Sequence, residues 1–172
     1  QNKGVGKSSF NPSDKIKAVA NNNDPDKDYA ITCLKAKGID VSYSNGVIDW
    51  QAVKNGGQVD FAIIRCGYGK INCAMQTDTQ FGANYAGAKA VGIPVGAYHY
   101  SYALTVADAL QEADFCLSLL KGKQFEYPIF FDVEEKTQIA LSKELLTAIT
   151  VAFCSKVEAA GYWVGVYSYS SA

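Results

Sequence analysis

Ile93-Pro94-Val95-Gly96-Ala97-Tyr98, the segment from Thr105 to Gly122, and Ile129-Phe130-Phe131-Asp132-Val133 together form the stretch from which the architecture is read. The first and last pieces are short and apolar on both faces, as strands covered on two sides require. Between them, Thr105-x-x-Asp108 has the form of a capping box and predicts a helix start. Val106, Ala109, Leu110, Ala113, Leu117 and Leu120 then recur on one helical face, and Gly122 supplies the stop. Strand, helix, glycine and strand make the unit of a parallel sheet, because parallel neighbours need a crossover between them.

The unit repeats in both directions. Apolar runs begin near residues 39, 60, 93, 128 and 162, the last four spaced 33, 35 and 34 residues apart. Thr77-x-x-Gln80 reads as a second capping box, ahead of Phe81, Asn84, Tyr85 and Ala88 on one face and Gly92 as the stop. Ser142 caps a helix carrying Leu145, Ile149, Ala152, Phe153 and Val157, which runs until Gly161. A shorter helix starts at Asp49-Trp50 and ends at Gly56-Gly57. The expected class is α/β, with either an open doubly wound sheet or a (β/α) barrel; periodicity does not choose between them. No GxGxxG follows a strand, since Gly67-x-Gly69 lacks the third glycine and the helix, which weakens a nucleotide-binding reading.

The 172 residues suffice for one sizeable core, and 48% hydrophobic with 19% charged residues is an ordinary globular balance. A formal net charge of −1 without a basic run indicates no broad attraction to nucleic acid or anionic lipid. No apolar stretch approaches the ~18–20 residues that span a bilayer. Gln1 to Phe10 is polar and glycine-rich, unlike a signal peptide, so an exported protein would have lost its signal or leave by another route. Residues 1–37, with the polar run Asn21 to Asp28, are expected to be a linker or tail, and Ile16 to Ala20 a single helical turn. Gly4-Val5-Gly6-Lys7-Ser8-Ser9 lacks the first glycine and preceding strand of a phosphate loop. Asp24-x-Asp26-x-Asp28 lacks the glycine and final glutamate of a calcium loop. Cys33, Cys66, Cys73, Cys116 and Cys154 are odd in number and contain no CxxC, so they are expected to be buried thiols. The redox compartment stays open.

Asp132 and Glu134 stand at the end of the fourth apolar run. Strand residues i and i+2 share a face with Cα atoms roughly 6.6–6.8 Å apart, so the two carboxylates are expected together, with Phe131 and Val133 turned to the helices. Like charges raise each other's proton affinity, which keeps one acid protonated near neutrality as glycoside cleavage requires. Asp40 ends the first strand, either desolvated in a pocket or capping a loop. Arg65 ends the second and is a natural partner for buried carboxylates. Tyr68, Tyr98, Tyr100, Tyr102, Tyr167 and Tyr169 crowd the strand ends and suit a polysaccharide groove. His99 is the only histidine and is read as a hydrogen-bonded structural residue, although it follows a strand and could line the site. No GxSxG or HExxH points to a serine triad or zinc protease.

Several motifs occur in a fixed order: Gly38-Ile39-Asp40-Val41-Ser42, Ile48-Asp49-Trp50, Phe61-Ala62-Ile63-Ile64-Arg65, Asp78-x-x-Phe81-x-x-Asn84, Gly92-Ile93-Pro94-Val95-Gly96-x-Tyr98-His99-Tyr100-Ser101, and Asp132-x-Glu134. From about residue 38 onward the chain resembles the family 25 glycoside hydrolases, lysozymes of bacteria, phages and fungi. The resemblance implies a TIM-like (β/α) barrel in residues 38–172 and cleavage of the β-1,4 bond between N-acetylmuramic acid and N-acetylglucosamine. It implies Glu134 as general acid, Asp132 as the carboxylate serving the 2-acetamido group, Asp40 completing the acidic site, and Arg65, Tyr98 and Tyr167 as sugar contacts. No cofactor or metal is implied. The implied partner is a peptidoglycan glycan strand, with no nucleic acid and no membrane insertion, and the expected location is extracellular or at the cell wall. The family's barrel carries further strands after the fifth β/α unit, the last with another aspartate, so the expectation is a barrel truncated after the fifth strand. That leaves a non-catalytic, peptidoglycan-binding or inactive fragment as the alternative, and a barrel hydrolase of chitin-like sugars as a third reading.

Overall fold

The computed structural model describes residues 36–70 and 73–168, apart from the side chains of 73 and 74. Most of the expected N-terminal tail, its helical turn, Cys33 and Tyr169 lie outside the described residues. Five strands, β1 (Gly38–Val41), β2 (Phe61–Tyr68), β3 (Val95–Tyr100), β4 (Ile129–Asp132) and β5 (Val164–Tyr167), form one sheet. All neighbours are parallel and the spatial order is that of the sequence, β1-β2-β3-β4-β5. A doubly wound sheet reverses its order at a switch point. Here each crossover advances one strand in one direction, which is the arrangement of a β/α barrel. Among the described residues β1 and β5 are the two edges. The helices are α1 (Trp50–Gly56), α2 (Cys73–Gln76), α3 (Phe81–Ala90), α4 (Val106–Leu120), α5 (Lys136–Ile139) and α6 (Lys143–Ala159). No helix among the described residues is long and apolar enough to cross a membrane.

Alternation along the strands divides the sheet into two faces. Ala62, Ile64 and Cys66 of β2, Val95, Ala97 and His99 of β3, and Ile129, Phe131 and the following Val133 are all buried. They meet the helices in one core with Phe81, Ala109, Ala113, Cys116, Leu120, Ile149 and Phe153. Phe131 stacks on Phe153 at 4.1 Å. The other face carries a glycine and aromatic alternation: Gly38 beside Phe61, and Phe130 beside Gly165. Gly96 lies in the same row opposite Ile63. A Cβ on Gly96 would come within 2.6 Å of the Pro128 carbonyl oxygen, so this position admits no side chain.

The caps fall mostly where the sequence puts them. Thr105 and Asp108 close a capping box on α4, Ser142 caps α6, and Asp49 caps α1, which ends on left-handed Gly57. The box expected at Thr77 and Gln80 does not form. Gln80 is the N-cap of α3 without a side-chain bond, and Thr77 bridges to Gly67. Asp78 organises that start instead, its Oδ1 accepting from the Gln80 amide at 2.9 Å. On α4, Val106 and Leu110 are exposed rather than lining the core, and Glu112 is fully buried, its Oε1 accepting from the Tyr102 amide at 2.9 Å.

Candidate active site

β2 is longer than its apolar run, and between Arg65 and Gly67 its register with β3 shifts. Arg65 pairs with Tyr98, Gly67 with His99 and Tyr68 with Tyr100, so Cys66 is the extra residue of a bulge. A bulge re-aims the side chains beyond it. Simple alternation would turn Tyr68 toward the helices; the bulge returns it to the face that carries Arg65, Tyr98 and Tyr100.

That face holds a cavity of about 430 Å³ lined from all five strands, including Asp40, Arg65, Tyr98, Asp132, Glu134 and Tyr167. A flat sheet of five strands would span about 19 Å at ~4.8 Å per step, so one cavity touching all five requires a curled sheet. The six residues that the resemblance implies for the site, Asp40, Arg65, Tyr98, Asp132, Glu134 and Tyr167, thus line one cavity. Asp132 and Glu134 share the face while Phe131 and Val133 are buried on the other. A second cavity of about 350 Å³, lined by Tyr43, Arg65, Tyr68, Thr79, Tyr100 and Tyr102, adjoins the first through Arg65 and Tyr100.

Asp132 is 4% exposed and its Oδ1 has no hydrogen-bond partner. Burial, then the neighbouring charges of Glu134 and Asp40, push its carboxyl up to about 7, against the opposing pull of Arg65 and His99. Glu134 is half-buried at the cavity wall, two residues beyond it. Asp40 is exposed and neither desolvated nor a cap, since Ser42 caps the turn after β1. Burial, and then Asp40 against the pull of Arg65, push the Tyr98 hydroxyl up to about 12, so it stays a neutral donor.

Arg65 does not hydrogen-bond the acidic pair. Its Nε donates to Asp78 Oδ2 at 2.8 Å, and its guanidinium lies 4.8 Å over the Tyr43 ring and 5.7 Å from that of Tyr68. Its Nη2 is buried without a partner. Asp78 is 3% exposed and also accepts from the Tyr43 amide at 3.0 Å, so one carboxylate ties the first turn, Arg65 and the start of α3. The motif spacing included Asp78 but gave it no role. Its signal was an acid just ahead of a helix in a segment otherwise free of charge. Glu135, next along the chain from Glu134, is half-buried and accepts from the Tyr100 hydroxyl at 3.2 Å.

His99 does not line the cavity. It is fully buried on the helix side, with Nε2 at 3.1 Å from the Gly69 carbonyl oxygen. The structural reading of that residue holds. Cys66 and Cys116 are buried free thiols as expected, and Cys154 is a half-buried one.

Among known proteins, residues 39–171 match the family profile described as glycosyl hydrolases family 25. The chain is 29% identical over 135 residues to the autolytic lysozyme of Clostridium acetobutylicum, covering 78% of this chain and 39% of that protein. The modular autolysin LytC of Streptococcus pneumoniae, solved in complex with a synthetic peptidoglycan ligand, superposes with a TM-score of 0.68 at 31% identity, over 78% of this chain and 32% of that one. The catalytic domain of endolysin ply40, from bacteriophage P40 of Listeria monocytogenes, gives 0.63 at 26% identity, over 76% and 62%. The chain thus spans well under half the length of the first two.

Proposed function

The chain belongs to family 25 of the glycosyl hydrolases, and on that premise we propose that it hydrolyses the β-1,4 bond between N-acetylmuramic acid and N-acetylglucosamine in peptidoglycan. The observation that carries the reading is Asp132: a buried carboxyl, proton-retaining up to about 7, with an unpartnered oxygen in a cavity shared with Glu134 and Asp40. An orphaned acceptor of this kind costs free energy in the free protein and is satisfied by an N–H donor. The 2-acetamido group of the sugar brings one.

The acidic cluster keeps one proton near neutrality, resting on Asp132 before substrate binds. When the acetamido N–H donates to Asp132, the ionised form of that carboxyl is favoured, and the proton passes to Glu134. Glu134 then gives it to the glycosidic oxygen as the bond to the anomeric carbon breaks, while Asp132 holds the acetamido group toward that carbon. Glu134, now ionised, takes a proton from the incoming water. Asp40 raises the proton affinity of Asp132 from across the cavity. Arg65, Tyr98 and Tyr167 contact the sugars, and the tyrosine-lined second cavity extends the path for the glycan strand. The place of action is the cell wall, in keeping with the autolysins and endolysins the chain is similar to.

The test uses the full chain on purified cell walls. Turbidity should fall and new reducing ends appear, and Glu134→Gln should lower the rate at least about 100-fold. Wall binding without reducing ends, or undiminished lysis by the variant, overturns the proposal. Equal release from a polymer free of muramic acid overturns the bond assignment.

A further inference from the structure

Behind the cavity, on the helix side of the sheet, the bulge residue Cys66, His99 of β3 and Cys116 of α4 converge, all fully buried. The Cys66 and Cys116 sulfurs are 3.8 Å apart, and the Cys66 sulfur is 4.0 Å from His99 Nδ1. The three donor atoms all lie within 4.8 Å of one another. Far apart in sequence, they form none of the spacings that announce a zinc site, and only the fold assembles them. We propose that Cys66, His99 Nδ1 and Cys116 bind a thiophilic closed-shell cation, Zn²⁺, which ties β2, β3 and α4 together behind the active site.

The distances fit. Two thiolates at ~2.3 Å from a tetrahedral zinc ion stand roughly 3.8 Å apart, and a thiolate and an imidazole nitrogen roughly 3.6 Å apart. The sulfurs already have this separation; His99 Nδ1 must close by a few tenths of an ångström on Cys66 and by up to about 1.2 Å on Cys116, whose sulfur lies within 4.8 Å of it. The tautomer fits as well. A carbonyl oxygen only accepts, so the 3.1 Å contact with Gly69 fixes the proton on Nε2 and leaves the Nδ1 lone pair facing Cys66. Glu112, one turn before Cys116 on α4, places Oε2 at 3.9 Å from the same Nε2, and that oxygen is buried without a hydrogen bond. A carbonyl or carboxylate behind the remote nitrogen is the usual support of a metal-bound imidazole.

Charge selects a divalent ion. Binding releases one proton from each thiol, so Zn²⁺, two thiolates and a neutral imidazole sum to zero. A neutral core suits a site with no exposed surface. Cu⁺ in the same donors would leave a net negative charge beside Glu112. The Cys66 bond to the Tyr98 carbonyl oxygen, 3.2 Å in this structure, is given up when the thiol ionises. With three protein ligands, zinc keeps one position for a non-protein ligand.

The proposal is independent of the hydrolase reading, because it concerns the opposite face of the sheet. The reduced, metal-free full chain is titrated with zinc chloride and, as a spectroscopic probe, cobalt chloride. We expect one ion per chain and release of two protons. Thiolate-to-cobalt charge-transfer absorption should appear, and zinc at 100-fold excess over its Kd should raise the melting temperature by about 5–10 °C. Cys116→Ser should weaken binding at least about 100-fold, while Cys154→Ser leaves it unchanged. Glu112→Gln, isosteric and outside the coordination sphere, should weaken it about 10-fold and covers the case in which Cys116→Ser does not fold. Absence of uptake, a cobalt spectrum without thiolate absorption, uptake of Cu⁺ but not zinc, or a Cys66–Cys116 disulfide in the isolated protein each overturn it.

Discussion

Asp132 concentrates the tension of this site in one side chain. The unfolded chain ionises an aspartate near pH 4, whereas burial, Glu134 and Asp40 hold this one protonated up to about 7. Between those values the folded state binds more protons than the unfolded one, so stability falls as pH rises through the window. Asp132→Asn removes the buried charge. Thermal melts should show a gain of about 2–4 °C at pH 8, equivalent to ~1 kcal/mol, and none at pH 4, where the wild-type carboxyl is already neutral. An equal gain at both pH values would place the stabilisation elsewhere. The same variant should lose activity about 100-fold or more, a stability and function trade-off at one residue. Activity should respond to the same proton: kcat/KM on a soluble glycan falls above about pH 7 as the acidic cluster empties. Asp40→Asn removes a like charge and should move that limb to lower pH; movement upward would contradict the coupling. Asp78 acts through Arg65. Asp78→Ala leaves a largely buried guanidinium without its ion-pair partner and should cost about 3 kcal/mol or more in a urea melt.

At the scale of strands and helices, the sequence was informative wherever the deciding contact is local. Thr105 and Asp108 lie three residues apart and bond each other's backbone, so their box could be read directly. Asp132 and Glu134 share a face because strand alternation is a local rule. The features that escaped depend on a partner distant in sequence. Thr77 has the spacing of a cap, but its backbone pairs with Gly67 and the helix starts later. The bulge at Cys66 is defined only by register against β3, although a lone glycine at 67 inside an apolar run was its available signal. Glu112 interrupts the apolar face of α4 and reads as a surface position until the Tyr102 amide and His99 are seen around it. Gly96 is the testable counterpart. An added Cβ there meets a backbone oxygen, which cannot rotate away, so Gly96→Ala should cost about 1–3 kcal/mol. Gly82 on α3 has open space around it, and Gly82→Ala should stabilise by up to about 1 kcal/mol. If both substitutions were neutral in denaturant melts, the close packing of the inner face would be disproved.

For the whole molecule, the class was legible because each of the first four strands is followed by a helix and a glycine. The choice between a doubly wound sheet and a barrel was not, because it rests on the direction in which each crossover steps, and no local pattern records direction. Sequential order of all five strands supplies that, and with it a cavity that gathers a residue from each strand. The charge of the chain then constrains how this cavity meets its substrate. With 16 basic against 17 acidic residues there is no long-range field to draw a polyanionic wall inward. At the cavity itself, Asp40, Asp132 and Glu134 outnumber Arg65. Under the proposed activity, capture rests on short-range contacts with tyrosines and hydrogen-bonding groups, which salt screens little, while the local acidic charge mildly repels wall carboxylates. Between about 10 mM and 150 mM ionic strength the Debye length shrinks from ~30 to ~8 Å. Over that range the wall-clearing rate at pH 6 should stay within about threefold, rising rather than falling. A steep fall with salt would mean that cationic attraction governs wall binding, and the tyrosine-lined path would lose its place as the recognition surface.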